Sequence, residues 1–194
     1  MIRDLYFPTP IYILDIKDKS LNVELEKNIL DWMNQDKGVS RTNIQGWHSP
    51  TNMHEKPEFK KLVGALYEAQ VKIYKEECLD SEPVIGNMWA NINPTGATNA
   101  PHIHPNSHFS GVYYIVSNDK SGALKIDDPR PGAQIVMPHR KQEKLPKHLW
   151  KKTFLRPTVG RIIIFPAWLW HSVETNESDQ LRISVSFNII QHGF

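Results

Sequence analysis

Apolar residues in the first part of the chain recur every three or four positions, which is the spacing of an amphipathic helix. Leu21, Leu25 and Ile29 form one such stripe, and a second stripe begins after Pro57. Ahead of both lies a short apolar run interrupted by prolines, which fits an edge strand. The pattern predicts a strand over 5–15 and helices over 20–34 and 57–79, the first helix capped by Ser20.

After Pro83 the pattern changes to short runs of β-type residues separated by turn residues. Regularly spaced strands of this length are typical of a sandwich or a jelly-roll barrel. Because the helices precede the strands, we expect them to buttress one face of the sheet. The predicted strands are 84–92, 109–116, 123–126, 134–137, 152–155, 161–165, 171–173 and 182–190.

The composition narrows the class of protein. A chain of 194 residues with 40% apolar residues predicts one domain, with 1–83 supporting a core formed by 84–194. The formal charge is +2 without a basic run, so no nucleic-acid partner is expected. No apolar run approaches the roughly 20 residues that span a bilayer, so no membrane partner is expected. Cys78 is the single cysteine, which excludes an internal disulfide.

The N-terminal segment, residues 1–6, lacks the charged-then-apolar order of a signal peptide. Together with the single cysteine, this predicts a cytoplasmic protein. The oligomeric state is not readable from the pattern, and a homo-oligomer stays open.

Two segments about seventy residues apart present histidines that suit a shared metal ion. Alternate residues of a strand face the same side, so His102 and His104 can reach one ion. His171, on a second strand-and-turn, supplies a third ligand. Three ligands that leave coordination positions open are typical of a catalytic metal site. An H-x-H pair alone is weak evidence in a chain with nine histidines.

Arg182 begins a strand in which polar and apolar residues alternate. If the polar residues face the interior, the guanidinium needs an anionic partner, and an exogenous carboxylate held with help from Ser184 provides one. If the apolar residues face the interior, the arginine lies in solvent. The pattern leaves both alternatives open. The polar set is Arg182, Ser184, Ser186 and Asn188, and the apolar set is Leu181, Ile183, Val185 and Phe187.

Several ordered motifs carry a resemblance to a known family. They are HIHP at 102–105, SGVYY at 110–114, GALKIDDPR at 122–130, FPAWLWH at 165–171 and RISVSFN at 182–188. On these motifs the chain resembles the Fe(II)- and 2-oxoglutarate-dependent oxygenases, most closely a family of oxygenases related to prolyl hydroxylases. The resemblance implies a double-stranded β-helix with Fe(II) as cofactor and 2-oxoglutarate as cosubstrate. It makes His102 the proximal ligand and His171 the distal ligand, and it assigns Arg182 with Ser184 to the C5 carboxylate of 2-oxoglutarate.

One position departs from the superfamily pattern, because His104 stands where most members have Asp or Glu. Either His104 is a ligand and the triad is all histidine, or water fills the position, with Asp127 and Asp128 as possible substitutes. We expect His104 to be the ligand. Candidates for polar contacts to the cosubstrate are Tyr113, Asn91 and Asn188, with a hydrogen-bonded interior as the alternative. Candidates for the substrate pocket are Trp89, Asp128, Arg130 and Trp168.

The implied reaction is hydroxylation of a substrate, with decarboxylation of 2-oxoglutarate to succinate. The substrate is either a peptidyl residue such as proline or a small metabolite. Two alternatives stay open: a cupin-type metalloprotein (an isomerase or a dioxygenase that does not use 2-oxoglutarate), and a jelly-roll binding module without activity. A cupin is expected to carry a glutamate a few residues after His104, and none is present.

Overall fold

The structure is a computed structural model and describes residues 1–2, 4–135, 138–139, 141 and 144–191. Within this part, eleven strands and three α-helices form. The strands are β1 (Tyr12–Asp15), β2 (Asn43–Ile44), β3 (Trp47–His48), β4 (Pro83–Asn93), β5 (Thr98–His102), β6 (Phe109–Val116), β7 (Leu124–Asp127), β8 (Lys152–Leu155), β9 (Arg161–Pro166), β10 (His171–Val173) and β11 (Arg182–Gln191). The helices are α1 (Lys19–Gln35), α2 (Lys60–Glu76) and α3 (Pro131–Ile135).

The strands form two antiparallel sheets. The larger sheet has six strands in the order β1-β9-β6-β11-β4-β3, and the smaller has five in the order β2-β5-β10-β7-β8. An apolar cluster joins the sheets, with Val112 and Phe165 from the larger one and Leu124 and Ile126 from the smaller one. The two sheets do not close into a barrel. The prediction of a mainly β, double-stranded β-helix fold with N-terminal helices is confirmed.

Two helices cover the outer face of the larger sheet. Apolar residues of α1 and α2, among them Leu25 and Leu66, pack in one cluster with Val185 and Phe187 of β11. The N-cap of α1 is Asp18, whose carboxylate accepts a hydrogen bond from the Leu21 amide at 3.0 Å. The predicted cap, Ser20, is wrong because it lies inside the helix, where its hydroxyl donates to Asp18.

Strand β11 is buried on both faces. Its apolar residues, including Ile183 and Val185, face the helices. Its polar residues Arg182 and Ser184 face a cavity between the two sheets. The alternative that placed Arg182 in solvent is therefore wrong, because the polar face and the apolar face of this strand each have their own buried environment.

Not every predicted strand was placed correctly. The strand predicted over 134–137 is replaced at its described start by α3, and residues 136–137 lie outside the described part. Strand β5 and the short strands β2 and β3 were not predicted. The single domain divided at residue 83 stays a prediction, although β1, β2 and β3 all pair with strands beyond that point.

None of the helices in the described part is both long enough and apolar enough to cross a membrane.

Candidate active site

Three histidines converge where β5 and β10 meet. His102 ends β5, His171 begins β10, and the two residues are directly paired across the smaller sheet. His104 lies just beyond β5, where its backbone amide donates to Ala167 at 3.0 Å. One ring nitrogen from each histidine lies within 4.8 Å of the others. The connection after β5, and not strand alternation as predicted, therefore brings His104 to the cluster.

Backbone carbonyls fix the orientation of two of these rings. Nδ1 of His102 lies 2.7 Å from the Ala100 carbonyl, and Nδ1 of His171 lies 2.8 Å from the Leu169 carbonyl. Because a carbonyl only accepts, both rings carry their hydrogen on Nδ1 and keep a lone pair on Nε2. This is the usual arrangement of a histidine that binds a metal through Nε2.

The distance between two of the nitrogens also suits a metal. Nε2 of His104 lies 3.2 Å from Nε2 of His171. Two nitrogens that each lie about 2.1 Å from one ion, at right angles, are about 3 Å apart. Imidazole nitrogens are common ligands of Fe(II). These three residues therefore fit an iron ion as the predicted ligand set requires.

Burial keeps the histidines neutral. It lowers the pKa of His104 to about 3, with a further contribution from the neighbouring His171 and His102. It also lowers the pKa of His171 to about 4, again with a contribution from His102. The pKa of His102 is lowered for the same reason, burial. Neutral imidazole is the form that binds a metal, so near pH 7 the entry of an ion requires no net release of protons from the three rings.

These pKa shifts predict how the stability of the metal-free protein depends on pH. In the unfolded chain a histidine has a pKa of about 6.5, whereas folding lowers that of His104 to about 3. Between these values the unfolded state binds more protons, so the free energy of unfolding falls as the pH falls. We expect a loss of up to about 1.4 kcal/mol per pH unit for each such histidine.

Urea unfolding of metal-stripped protein between pH 4.5 and 7 measures this effect. The variant His104→Gln is expected to show a shallower dependence, because one of the groups that binds protons only on unfolding is gone. Equal slopes for the variant and the wild type would contradict the assignment of a depressed pKa to His104.

Arg182 is buried in the same cavity without a counter-ion among the described residues. Its side chain is 1% exposed. Nη1 donates to the carbonyls of Ser121 and Glu174, the latter at 3.0 Å, whereas Nη2 has no partner in the described part. Burial lowers the pKa of Arg182. A guanidinium with a free donor in a buried site is suited to bind a carboxylate that enters from outside.

The cavity between the sheets connects the arginine to the histidines. It occupies about 550 Å³, including the part open to solvent. Its walls come from both sheets and from the segment before β2. The lining residues that bear on its chemistry are Thr42, Trp89, Asn91, His102, His104, Tyr114, His171, Arg182, Ser184 and Ser186.

The tyrosine that lines the cavity is not the one that was predicted to contact the cosubstrate. The predicted contact of Tyr113 with the cosubstrate does not fit, because Tyr113 faces the helices. Its hydroxyl there donates to Asn22 at 2.5 Å. Its neighbour Tyr114 lines the cavity and interacts with Arg182. Burial raises the pKa of Tyr114 to about 12, so its hydroxyl is a neutral donor. The sequence offered no signal to choose between the two, because one step along the strand exchanges its faces.

Three of the residues predicted for the substrate pocket lie elsewhere. Arg130 pairs with Asp128 at 2.8 Å and also donates to the His148 carbonyl. Trp168 is 55% exposed. None of them lines the cavity, and in the described part neither Asp127 nor Asp128 joins the histidines. The fourth residue, Trp89, does line the cavity, and its ring centroid lies 5.8 Å from that of His104.

The two predicted asparagines have different surroundings. Asn91 lines the cavity and donates to Ser186 at 3.1 Å. Asn188 is not in the cavity wall, and its amide instead contacts Ser110, Asn87 and His104. The structure therefore brings together the three histidines, Arg182, Ser184, Asn91 and Trp89 in the cavity.

Comparison with known proteins decides the family. The model of a family described as putative 2OG-Fe(II) oxygenase, where 2OG is 2-oxoglutarate, matches residues 87–188, which is more than half of the chain. The chain belongs to this family. It is therefore a 2-oxoglutarate-dependent Fe(II) oxygenase, and Fe(II) and 2-oxoglutarate are its cofactor and cosubstrate. The resemblance stated from the motifs is confirmed. No curated protein matches the oxygenase.

Solved structures of low sequence identity share its fold. A prolyl-4-hydroxylase from Pseudomonas putida is similar to the oxygenase with a TM-score of 0.69 and 12% identity, over 95% of this chain and 94% of that one. HygX from Streptomyces hygroscopicus, solved with nickel, 2-oxoglutarate and hygromycin B, has a TM-score of 0.66 and 9% identity, with coverages of 96% and 84%.

A third similar structure is a prolyl hydroxylase from Trichoplax adhaerens bound to a peptide fragment of hypoxia inducible factor. Its TM-score is 0.65 and its identity 13%, with coverages of 93% of this chain and 83% of that one. At these identities the likeness establishes the fold of the oxygenase.

Proposed function

We propose that this oxygenase hydroxylates its substrate, with Fe(II) held by His102, His104 and His171. The observation that carries the proposal is the shared cavity, in which a buried arginine without a counter-ion lies beside three convergent neutral imidazoles. A dicarboxylate supplies what both groups need, because one end neutralises the guanidinium and the other end reaches the metal.

Arg182 is the proposed anchor for the C5 carboxylate of 2-oxoglutarate. Its free Nη2 and the hydroxyls of Ser184 and Tyr114 are the donors on this side of the cavity. A charge-assisted hydrogen bond is roughly twice as strong as a neutral one. The high pKa of Tyr114 keeps its hydrogen available for such a bond. The backbone carbonyls on Nη1 hold the guanidinium plane fixed while the carboxylate binds.

The exposure of the cavity residues distinguishes a closed end of the cavity from an end that is partly open to solvent. Arg182 and His171 are buried, whereas His102 and His104 are partly exposed. The cosubstrate therefore occupies the closed end, and the substrate approaches from the side of His102 and His104. Trp89, next to His104, is the residue proposed to contact it.

With iron and 2-oxoglutarate bound, dioxygen chemistry at the metal couples decarboxylation of 2-oxoglutarate to succinate with hydroxylation of the substrate. The chain itself orients the reactants and shields them from water. His102 and His171 present fixed lone pairs, Arg182 holds the far end of the cosubstrate, and the apolar side chains Phe165 and Leu124 form walls that exclude solvent.

Anaerobic titration with Fe(II) followed by 2-oxoglutarate tests the proposal, and admission of air then allows succinate to be measured. We expect stoichiometric iron, saturable binding of 2-oxoglutarate that depends on iron, and slow succinate formation without substrate. Iron binding without 2-oxoglutarate binding would favour a cupin-type metalloprotein. If neither ligand binds to folded protein, the chain is a binding module and the proposed activity is wrong.

The substrate class is either a peptidyl residue such as proline or a small metabolite. Succinate formation above the uncoupled rate, measured with proline-containing peptides and with metabolite pools, separates the two. The proposal also includes a cytoplasmic location and allows a homo-oligomer.

A further inference from the structure

We infer that Asn188 is a positioning residue for His104 and that its amide turns over when a metal ion binds. The inference deepens the proposed function, since it rests on His104 as a ligand. The three histidines differ in what holds their rings. His102 and His171 are each held by a backbone carbonyl, which only accepts hydrogen bonds. Nδ1 of His104 instead faces the Asn188 amide at 3.5 Å.

The contact between His104 and His171 sets the hydrogen positions. Their Nε2 atoms are 3.2 Å apart, so the two nitrogens share either a metal ion or a hydrogen. Nε2 of His171 carries a lone pair, because its Nδ1 donates to Leu169. When no ion lies between the rings, the hydrogen must therefore be on Nε2 of His104. The same ring then has a lone pair on Nδ1 and needs a donor there.

Asn188 supplies that donor. It is the middle member of a row of three polar side chains across the larger sheet, and it pairs with Asn87 on one side and with Ser110 on the other. The Ser110 hydroxyl donates to Oδ1 of Asn188 at 2.7 Å, so Nδ2 of Asn188 is left facing Oδ1 of Asn87 at 2.8 Å and Nδ1 of His104. Donor and acceptor alternate along the whole row.

Metal binding through Nε2 reverses every one of these roles. His104 then carries its hydrogen on Nδ1, and Asn188 must present its oxygen to it. Turning both amides over restores all the bonds, with Asn188 donating to the Ser110 oxygen and Asn87 donating to Asn188. Amides and hydroxyls both donate and accept, so the row satisfies either state. The ring stays neutral throughout, and Asn87, which is partly exposed, completes its bonds with water.

Nitrogen-15 NMR of histidine-labelled protein tests the reversal directly, with Zn(II) as a diamagnetic probe. Without metal we expect the hydrogen on Nδ1 in His102 and His171 but on Nε2 in His104. With Zn(II) we expect it on Nδ1 in all three rings. A wild-type protein in which His104 already carries its hydrogen on Nδ1 without metal would overturn the inference.

Variants of Asn188 test the positioning role through Co(II) affinity, measured by absorbance titration. Loss of a group that orients a metal ligand typically costs about 10–100-fold in affinity, and we expect this for Asn188→Ala. The conservative Asn188→Asp can only accept, so it is expected to retain wild-type affinity or exceed it, with the His104 hydrogen on Nδ1 even without metal. Asn188→Asp with the hydrogen still on Nε2 would contradict the inference.

The matched control is Asn22→Ala, which removes another buried, hydrogen-bonded asparagine on the opposite side of the larger sheet. Its Co(II) affinity is expected to equal that of the wild type. His104→Ala separates the ligand assignment of His104 from the positioning role of Asn188. If that variant keeps its Co(II) affinity, the ligand assignment in the proposed function fails. If it loses affinity while folded Asn188→Ala does not, only the role of Asn188 is wrong.

Discussion

Replacing Arg182 with alanine is expected to weaken 2-oxoglutarate binding by about 30- to 1,000-fold, which corresponds to roughly 2–4 kcal/mol. The variant removes the one buried cation that lines the cavity in the described part, so the cosubstrate carboxylate is left buried without a counter-charge. Fe(II) affinity should stay unchanged, because Arg182 is not one of the residues that could hold a metal ion. Isothermal titration with 2-oxoglutarate on anaerobic Fe(II)-loaded protein measures the first affinity, and anaerobic Fe(II) titration of the metal-free protein measures the second.

Arg182→Lys keeps the charge but loses the planar fork, so an intermediate loss is expected. It also guards against a folding defect in Arg182→Ala, which deprives the Ser121 and Glu174 carbonyls of their donor. Arg161→Ala is the matched control, since that arginine pairs with Asp15 at the edge of the larger sheet. If folded Arg182→Ala binds 2-oxoglutarate with wild-type affinity, Arg182 does not bind the cosubstrate.

The second large effect is expected from His171→Ala, which should lower Fe(II) affinity by at least about 100-fold, more than the loss of an orienting group. His171 is the most buried of the three histidines, at 4% exposed, and its Nε2 is already directed towards His104. No other described histidine, aspartate or glutamate joins this group to take its place. Anaerobic Fe(II) titration of wild type and variant gives the ratio.

His108→Ala is the control for this experiment. His108 contacts Phe109 and hydrogen-bonds through its backbone to Ile189, so it shares the sequence neighbourhood of the site without joining the cluster. Its variant should bind Fe(II) like the wild type. His104→Asp adds a comparison of ligand types, and we expect it to retain metal binding because a carboxylate is usual at that position in the superfamily. Full affinity in His171→Ala would show that the ion is bound elsewhere.

The sequence predicted most strands of both sheets, because runs of β-type residues separated by turn residues mark them. The strands 109–116, 152–155 and 171–173 were predicted with the bounds that the structure has. Strand β5 was missed because Thr98–His102 contains hardly any β-type residues, and its pairing with β10 and β2 determines its conformation. Local propensity cannot register such tertiary pairing.

Residues of the candidate site were predictable where the type of side chain identifies them. They were not predictable where only the direction in which a side chain faces decides. His102, His171 and Arg182 stand out because few buried roles suit such side chains. Tyr113 and Tyr114 are chemically identical neighbours, and only the pairing of β6 with β11 and β9 decides which one faces the cavity. Asn188 was taken for a contact of the cosubstrate because its neighbours from β4 and β6 are distant in sequence.

The two-sided burial of β11 has a consequence for how the protein tolerates change. A slip of one residue against β4 and β6 would turn Arg182 towards the apolar side chains of the helices and Ile183 towards the histidines, so folding and chemistry would fail together. The pairing with β6 is irregular between Ile183 and Ser184, and the pairing with β4 is irregular between Asn188 and Ile189, so these two points fix the alignment of residues 184–188. Insertions within this strand should therefore be far less tolerated than substitutions.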